Sequence, residues 1–269
     1  MIHCETAVWR LIRSGVADGP TNMAVDEAIL QAVASGHVPP TLRLYLWEPP
    51  CLSLGRAQPL DEVDRRAVAS AGYDLVRRPT GGRAILHIDE LTYSVVAPDN
   101  EPRVAGGVVE SYRRLSAGLV SGLAQLGIGD VVADRRVESR SPNGPVCFEV
   151  PSRYEITVGG KKLVGSAQMR AQGVVLQHGA VPLHGDIARI CAFLNERPRS
   201  DRVRARATTV EAALGRRVSW ERVAEALVSG FSEGLNLQLR PDTLISEEEE
   251  QARTLRAEKY ANMAWTAVV

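Results

Sequence analysis

The 269-residue chain predicts an α+β fold with a mixed, mostly antiparallel sheet flanked by helices. Three observations carry that expectation. Runs of alternating apolar and polar residues are interleaved with runs of helical period along the whole chain. Several neighbouring strand-like runs are joined by short turns and read as hairpins. Hydrophobic residues make up 45% and charged residues 24% of the chain, a globular balance that excludes a disordered or fibrous protein.

Val8 to Ile12 reads as the first strand, and Gly15 to Pro20 as a turn into a helix capped by Thr21 or Asn22 and running to about Ser35. Its Val25, Ala28, Ile29, Ala32 and Val33 recur at helical spacing, with Asp26 and Glu27 near the positive end of the dipole. Leu42, Leu44 and Leu46 alternate with Arg43, Tyr45 and Trp47 as a half-buried strand, which Pro49-Pro50 stops before a second at Cys51 to Leu54. Asp61 caps a helix through Ala71, and Tyr73 to Arg78 returns as a strand. Ala84 to His87 and Leu91 to Val96 form a hairpin through Ile88-Asp89-Glu90.

A long amphipathic helix places Val109, Tyr112, Leu115, Leu119 and Leu123 on one face and stops at Gly127. Ala133 to Pro145 is polar and rich in breakers, so it reads as a loop delivering the chain to Cys147. The Gly159-Gly160 turn pairs Val158 with Lys161, Thr157 with Lys162 and Ile156 with Leu163. Tyr154, Ile156, Val158 and Leu163 then share one face, and Glu155, Thr157, Lys162 and Ser166 the other. Val174 to His178 is a strand, and Asp186 caps a helix bearing Ile187, Ile190 and Cys191. Thr208 with Glu211 opens a short helix, Ser219 a longer one, and Leu235, Leu237 and Leu239 alternate as a late strand. Ser246 with Glu249 forms a last capping box, so the chain divides into one large unit over 1–245 and a helical extension over 246–269.

Lys plus Arg and Asp plus Glu both total 32, so no global field draws the chain to nucleic acid or an anionic membrane. Met1 to Thr6 lacks a basic region followed by an apolar run, and no apolar stretch approaches the roughly 20 residues of a membrane span. A cytoplasmic monomer is the expectation. Four scattered cysteines are too few for a disulfide framework, so reduced thiols are expected. His87, His178 and His184 lack metal-ligand spacing, and no metal is assigned.

Chemistry concentrates in two stretches. Cys147 ends the breaker-rich loop between Pro145 and Pro151, whereas Cys51 and Cys191 sit in apolar runs as small hydrophobes. A thiol needs a cationic neighbour to be substantially thiolate at neutral pH, and Lys162 is the nearest one along the chain. The alternatives are a buried spectator thiol and an exposed strand lysine. In Arg77-Arg78-Pro79-Thr80-Gly81-Gly82-Arg83, permanent cations flank glycines whose backbone N–H groups suit a phosphate or carboxylate, or simply make a tight turn. Neither the Walker spacing nor the dinucleotide fingerprint is present.

Arg77-Arg78-Pro79-Thr80-Gly81-Gly82-Arg83-Ala84-Ile85-Leu86-His87 and Lys162-Leu163-Val164-Gly165-Ser166-Ala167 together resemble the two signature motifs of the lipoate/biotin protein ligase superfamily. The resemblance spans about Trp9 to Leu239, and it implies the biotin/lipoate protein ligase-like catalytic fold, with 1–245 as an acyltransferase domain. Cys147-Phe148-Glu149-Val150-Pro151-Ser152-Arg153-Tyr154-Glu155 resembles the cysteine-dependent octanoyltransferase branch. That likeness implies Cys147 as the acyl-thioester nucleophile and Lys162 as the group that lowers its pKa. It implies an acyl pocket lined by Arg78, Gly81, Gly82, His87, Gly165, Ser166 and Ala167, with His178 as an accessory polar group. The implied donor is octanoyl-acyl carrier protein, and the acceptor is the glycine-cleavage H protein or another lipoyl-domain protein, without a cofactor.

The competing activity is an ATP-dependent lipoate-protein ligase working through acyl-adenylate, and a non-catalytic acyl- or lipoyl-domain-binding module is a third reading. Arg83 stands where such ligases commonly carry glycine, and the chain has no room for their additional C-terminal domain, which favours the transferase.

Overall fold

The computed structural model describes residues 4–134 and 155–269. β1 (Ala7–Ala17) outruns its apolar core because it pairs along its length with other strands of the main sheet. α1 (Gly19–Ala34) begins before the expected caps. Asp18 holds the N-cap position, its carboxylate accepting from Thr21 N at 2.7 Å, and Pro20 occupies the first turn. Asn22 is instead buried and donates to Ala17 O and Leu46 O.

β2 (Thr41–Trp47) and β3 (Cys51–Leu54) fall where expected. β2 is buried on both faces and not half-buried, because Leu42 and Leu44 enter one core while Arg43 and Tyr45 bond Asp26 of α1 on the other side. α2 (Arg65–Ser70) is capped by Asp64 rather than Asp61, because extended Val63 interrupts the helix to bridge Leu194. β4 (Asp74–Arg77), β3 and β5 (Ile85–His87) form a separate three-stranded sheet. The expected hairpin of 84–87 with 91–96 therefore does not exist. β6 (Glu90–Pro98) is buried at eight of its nine residues and takes a central place in the large sheet, with Asp89 at φ 52° turning the chain between the two sheets.

α3 (Val108–Gln125) matches its predicted span. β7 (Val131–Asp134) occupies the start of the stretch expected as a loop, and the rest of that stretch lies outside the described residues. β8 (Glu155–Val158) and β9 (Lys161–Ala171) meet at Gly159 and Gly160, both at positive φ as a tight hairpin turn requires. The first two predicted pairs hold, but Ile156 lies opposite Val164 instead of Leu163. The extra residue is a bulge, and Lys162, Leu163 and Val164 are all buried in succession there.

β10 (Val174–Pro182) extends past the predicted His178. Residues 187–193 form a 3-10 helix that Asp186 caps. α4 (Ser200–Arg206) precedes α5 (Val210–Leu214), whose cap is Thr209 rather than Thr208. α6 (Trp220–Leu235) starts after its expected cap Ser219 and takes in Leu235, so β11 (Leu237–Asp242) begins later than the leucine alternation implies and runs past Leu239. α7 (Ser246–Leu255) starts after Ile245, whose backbone N–H is met by Glu248 rather than by a Ser246–Glu249 box. A π turn over Arg256–Tyr260 and α8 (Met263–Thr266) complete the chain.

The large sheet runs β11-β1-β2-β6-β10-β9-β8-β7, and only the two pairings of β1 are parallel. α3 and α6 cover one face, with Leu115, Leu119, Leu227 and Phe231 in its core. These helices approach so closely that a Cβ on Gly230 would lie 2.2 Å from Gly122 N. α1 and α7 cover the other face through a second core containing Met23, Ile29, Leu176 and Ala252. The small sheet packs over a third core with Leu52, Ile85, Ala180 and Leu194. Among the described residues, no helix is long and apolar enough to cross a membrane.

Candidate active site

The register of four adjacent strands builds the site. Tyr45, Thr92, Ala180 and Gly165 stand in one cross-strand row, and Arg43, Ser94, His178 and Ala167 in the next row on the same face. Side chains shrink along the first row from β2 to β9, and the second row ends on the small Ala167. Met23 of α1, Ile85 and His87 of the small sheet and Arg78 just after β4 close over this face, leaving a slot among them. The exposed lining of this slot is almost wholly apolar.

The walls are fixed by buried polar chains. Trp47 stacks on His87 with ring centroids 4.0 Å apart, and its indole N–H donates to Thr92 Oγ1. Thr92 donates in turn to Glu90, whose carboxylate also lies 2.7 Å from His87 Nδ1. His87 Nε2 is 2.6 Å from Ser53 Oγ, which accepts from Arg78 Nη1. Arg78 is buried, and its Nη2 donates to Gly81 O and Arg83 O, so one guanidinium shapes the glycine loop from inside.

The glycine loop is pressed against a second loop. A Cβ on Gly55 would lie 1.9 Å from Gly82 O, so only glycine permits that approach. Gly81 is exposed, and Gly82 takes φ +93°, a conformation that favours glycine. Arg83 turns outward to Glu62 at 3.0 Å, so its charge is engaged beside the loop and not within it.

On the opposite wall, Asp26 accepts from Arg43 Nη1 at 2.7 Å, Ser94 Oγ at 2.8 Å, Tyr45 OH at 2.9 Å and His178 Nδ1 at 3.1 Å. Burial by itself would raise this carboxyl, but the Arg43 charge and the His178 bond outweigh it and hold Asp26 below the usual aspartate range. Burial pushes His178 below the usual histidine value despite Asp26, so the ring is neutral near pH 7. A carboxylate only accepts, so Nδ1 carries the proton, and Nε2 accepts from Thr80 Oγ1 at 2.7 Å. With both nitrogens engaged, His178 orients the Thr80–Gly81 turn and holds no spare proton to give.

Gly165, Ser166 and Ala167 occupy successive β9 positions with different fates. Gly165 and Ala167 belong to the slot face, whereas Ser166 points to the opposite face and meets Tyr93 OH at 2.8 Å. Gly179 faces that side too, where an added Cβ would lie 2.5 Å from Ser166 Oγ. Burial raises the Tyr93 phenol to about 12 despite bonds from Ser166 and Gln177, so it stays protonated.

Lys162 is 4% exposed, which removes the exposed strand lysine. Its Nζ lies 2.9 Å from Glu155 Oε1, also buried, and its carbonyl accepts from Thr208 N. Cys147 lies outside the described residues. Burial raises the Cys51 thiol well above its ordinary value, and Cys191 is buried in the third core, so both are small hydrophobes as their surroundings predict. Among the described residues, no three His, Cys, Asp or Glu side chains group as a metal set.

Of the expected residues, the fold brings Arg78, His87, Ala167 and His178 to one slot and carries Lys162 on the strand that supplies Ala167. Sequence reasoning missed Asp26, Ser53, Thr80 and Glu90 as their partners. Asp26 had a signal: it follows Met23 and precedes Ile29 by three residues each, an acid on the apolar stripe of its helix.

The profile of the lipoyl protein ligase A/B catalytic domain matches residues 18–232. The chain belongs to that family. Within it, the chain is similar to octanoyltransferase LipM of Symbiobacterium thermophilum, 46% identical over 269 residues covering 96% of this chain and 97% of that one. LipM of Kyrpidia tusciae is 48% identical over 270 residues with the same coverage. A solved lipoate-protein ligase A bound with ATP matches at a TM-score of 0.81 and 28% identity, covering 98% of this chain and 100% of the other. A bi-partite lipoate protein ligase from Thermoplasma acidophilum, studied with its lipoyl domain, matches at 0.79 and 27%, covering 99% and 98%. The lipoyl ligase family fold and the expected α+β class therefore coincide, with a mixed sheet flanked by helices.

Proposed function

We propose that this lipoyl ligase family member is an acyltransferase that moves an octanoyl group from octanoyl-acyl carrier protein to a lysine of a lipoyl-domain protein, the glycine-cleavage H protein or a related acceptor. The observation that carries this reading is the 46–48% identity, over 96% of the chain, to relatives named octanoyltransferase LipM. The slot beside Ala167 supports it through its apolar exposed lining, the surroundings an acyl tail calls for.

The Cys147 thiolate attacks the donor thioester carbonyl. The tetrahedral intermediate collapses, the carrier's thiolate leaves and takes up a proton, and a Cys147 octanoyl thioester remains. The acceptor lysine then attacks as the neutral amine, Cys147 leaves as thiolate, and the amide forms with loss of one proton. Lys162, held by Glu155, supplies the fixed positive charge for the thiolate and the developing oxyanion. No nucleotide is consumed, since the donor is already activated. The chain acts as a monomer, with 1–245 as the transferase unit and 246–269 as its helical extension.

Purified protein incubated with octanoyl-carrier protein in the absence of ATP should gain one octanoyl mass, and Cys147→Ser should not. Lys162→Ala should lower the transfer rate on the order of 10²–10³-fold, the scale of a lost electrostatic stabiliser. Product that appears only with ATP and is indifferent to Cys147→Ser would establish the ligase chemistry instead.

A further inference from the structure

The chain is neutral overall, yet residues 197–206 hold five arginines against one carboxylate, Asp201. α4 explains how this stretch is displayed. Val203 is fully buried and Ala207 nearly so in the third core, which turns Arg199 and Arg202, three residues apart, outward. Arg197 and Arg202 are exposed and carry no side-chain partner among the described residues. Arg199 meets Asp201 and Arg204 meets Asp186, both at 2.6 Å, but the arginines are 80% and 56% exposed. Ion pairs that open to water are weak and are readily exchanged for other carboxylates.

This surface is built onto the strand that bears Lys162. Ala207 bridges Lys162 through the backbone, Thr208 N donates to Lys162 O at 3.0 Å, and Lys161 Nζ donates to Arg204 O at 3.1 Å. The arginines therefore border the proposed reaction centre without occupying the slot.

We infer that the α4 arginine face docks an acidic protein surface, that of the thioester-bearing acyl carrier; this rests on the transferase reading above. The donor delivers its acyl group on a long flexible arm, so its body is free to sit beside the mouth. The acceptor has only a lysine side chain to reach with and must sit over the mouth. Complementary charge at such a rim acts mainly on encounter rate and salt sensitivity.

The test compares the whole protein with the charge-reversed Arg199→Glu/Arg202→Glu variant. Equilibrium binding of holo acyl carrier protein, which needs no turnover, should weaken about tenfold in the variant. Wild-type binding should fall as ionic strength rises through roughly 0.1 M, where the Debye length is about 10 Å. KM for octanoyl-carrier protein should rise about as much, while turnover of uncharged S-octanoyl-N-acetylcysteamine stays unchanged. Unaltered carrier binding overturns the docking face, as does an equal loss with both donors or a rise confined to the KM of the acceptor protein. A wild-type protein that cannot turn over the uncharged thioester sinks the transferase reading, and the carrier-binding arm still decides the docking face.

Discussion

Asp26 concentrates four donors on one fully buried carboxylate, and its loss strands the equally buried Arg43 guanidinium. Removing one partner of such a pair typically costs about 3–5 kcal/mol, because the other charge stays dry and uncompensated. Asp26→Ala should lose about that much in denaturant unfolding, and the Thr80–Gly81 turn should loosen with it. The pH dependence has a definite sign. Asp26 is depressed in the fold, so its contribution is complete above its ordinary value of 3.8 and is lost as pH falls through the lower folded value. His178 is a base held below 6.5, so below that pH the unfolded chain binds a proton that the folded chain refuses, and stability declines on the acid side. Unfolding measured between about pH 6.5 and 4.5 should therefore show a shallower decline in His178→Gln than in the wild type.

At the scale of elements, α7 is joined to the first strand by a buried fork. Arg10 Nη1 and Nη2 donate to both Glu248 oxygens, at 3.0 and 2.5 Å, and Glu248 also accepts from Ile245 N at the start of the helix. One carboxylate thus caps α7 and anchors it over β1. Glu248→Ala should destabilise the protein by about 3–5 kcal/mol, and adding Arg10→Met should restore part of the loss, because it removes the stranded charge. A double-mutant cycle on urea midpoints measures the coupling. The motif was visible in the sequence only as an acidic first turn, since the identity of its buried member depends on which face of α7 meets the sheet.

Across the whole molecule, Arg77 closes the C-terminal segment onto the site. Its guanidinium donates to Gly55 O, Arg56 O and Gln58 O on one side and twice to Thr266 O on the other, while Trp265 donates to Arg77 O. The Gly55 loop in turn backs Gly82. A lysine cannot span these acceptors with one ammonium, so Arg77→Lys should cost on the order of 3 kcal/mol. Because the same contacts seat the glycine loop, octanoyl transfer should fall further than the unfolded fraction accounts for, which activity measured well below the unfolding midpoint checks.

Periodicity placed α1, α3, α6 and β2, although β2 proved buried on both faces, and the Gly159-Gly160 turn placed its hairpin, because each is a locally regular pattern. The two motifs around Arg78 and Lys162 were legible for the same local reason, as runs of small and cationic residues. Long-range pairing was not. Only the tertiary structure sent β5 and β6 into different sheets, because a nine-residue strand buried on both faces must take two neighbours that the sequence does not name. Only the fold joined Asp26, Thr80 and His178, which lie 98 and 152 residues apart at their two contacts. A buried carboxylate is tolerable only where distant donors converge on it, and that convergence is a property of packing and not of local sequence.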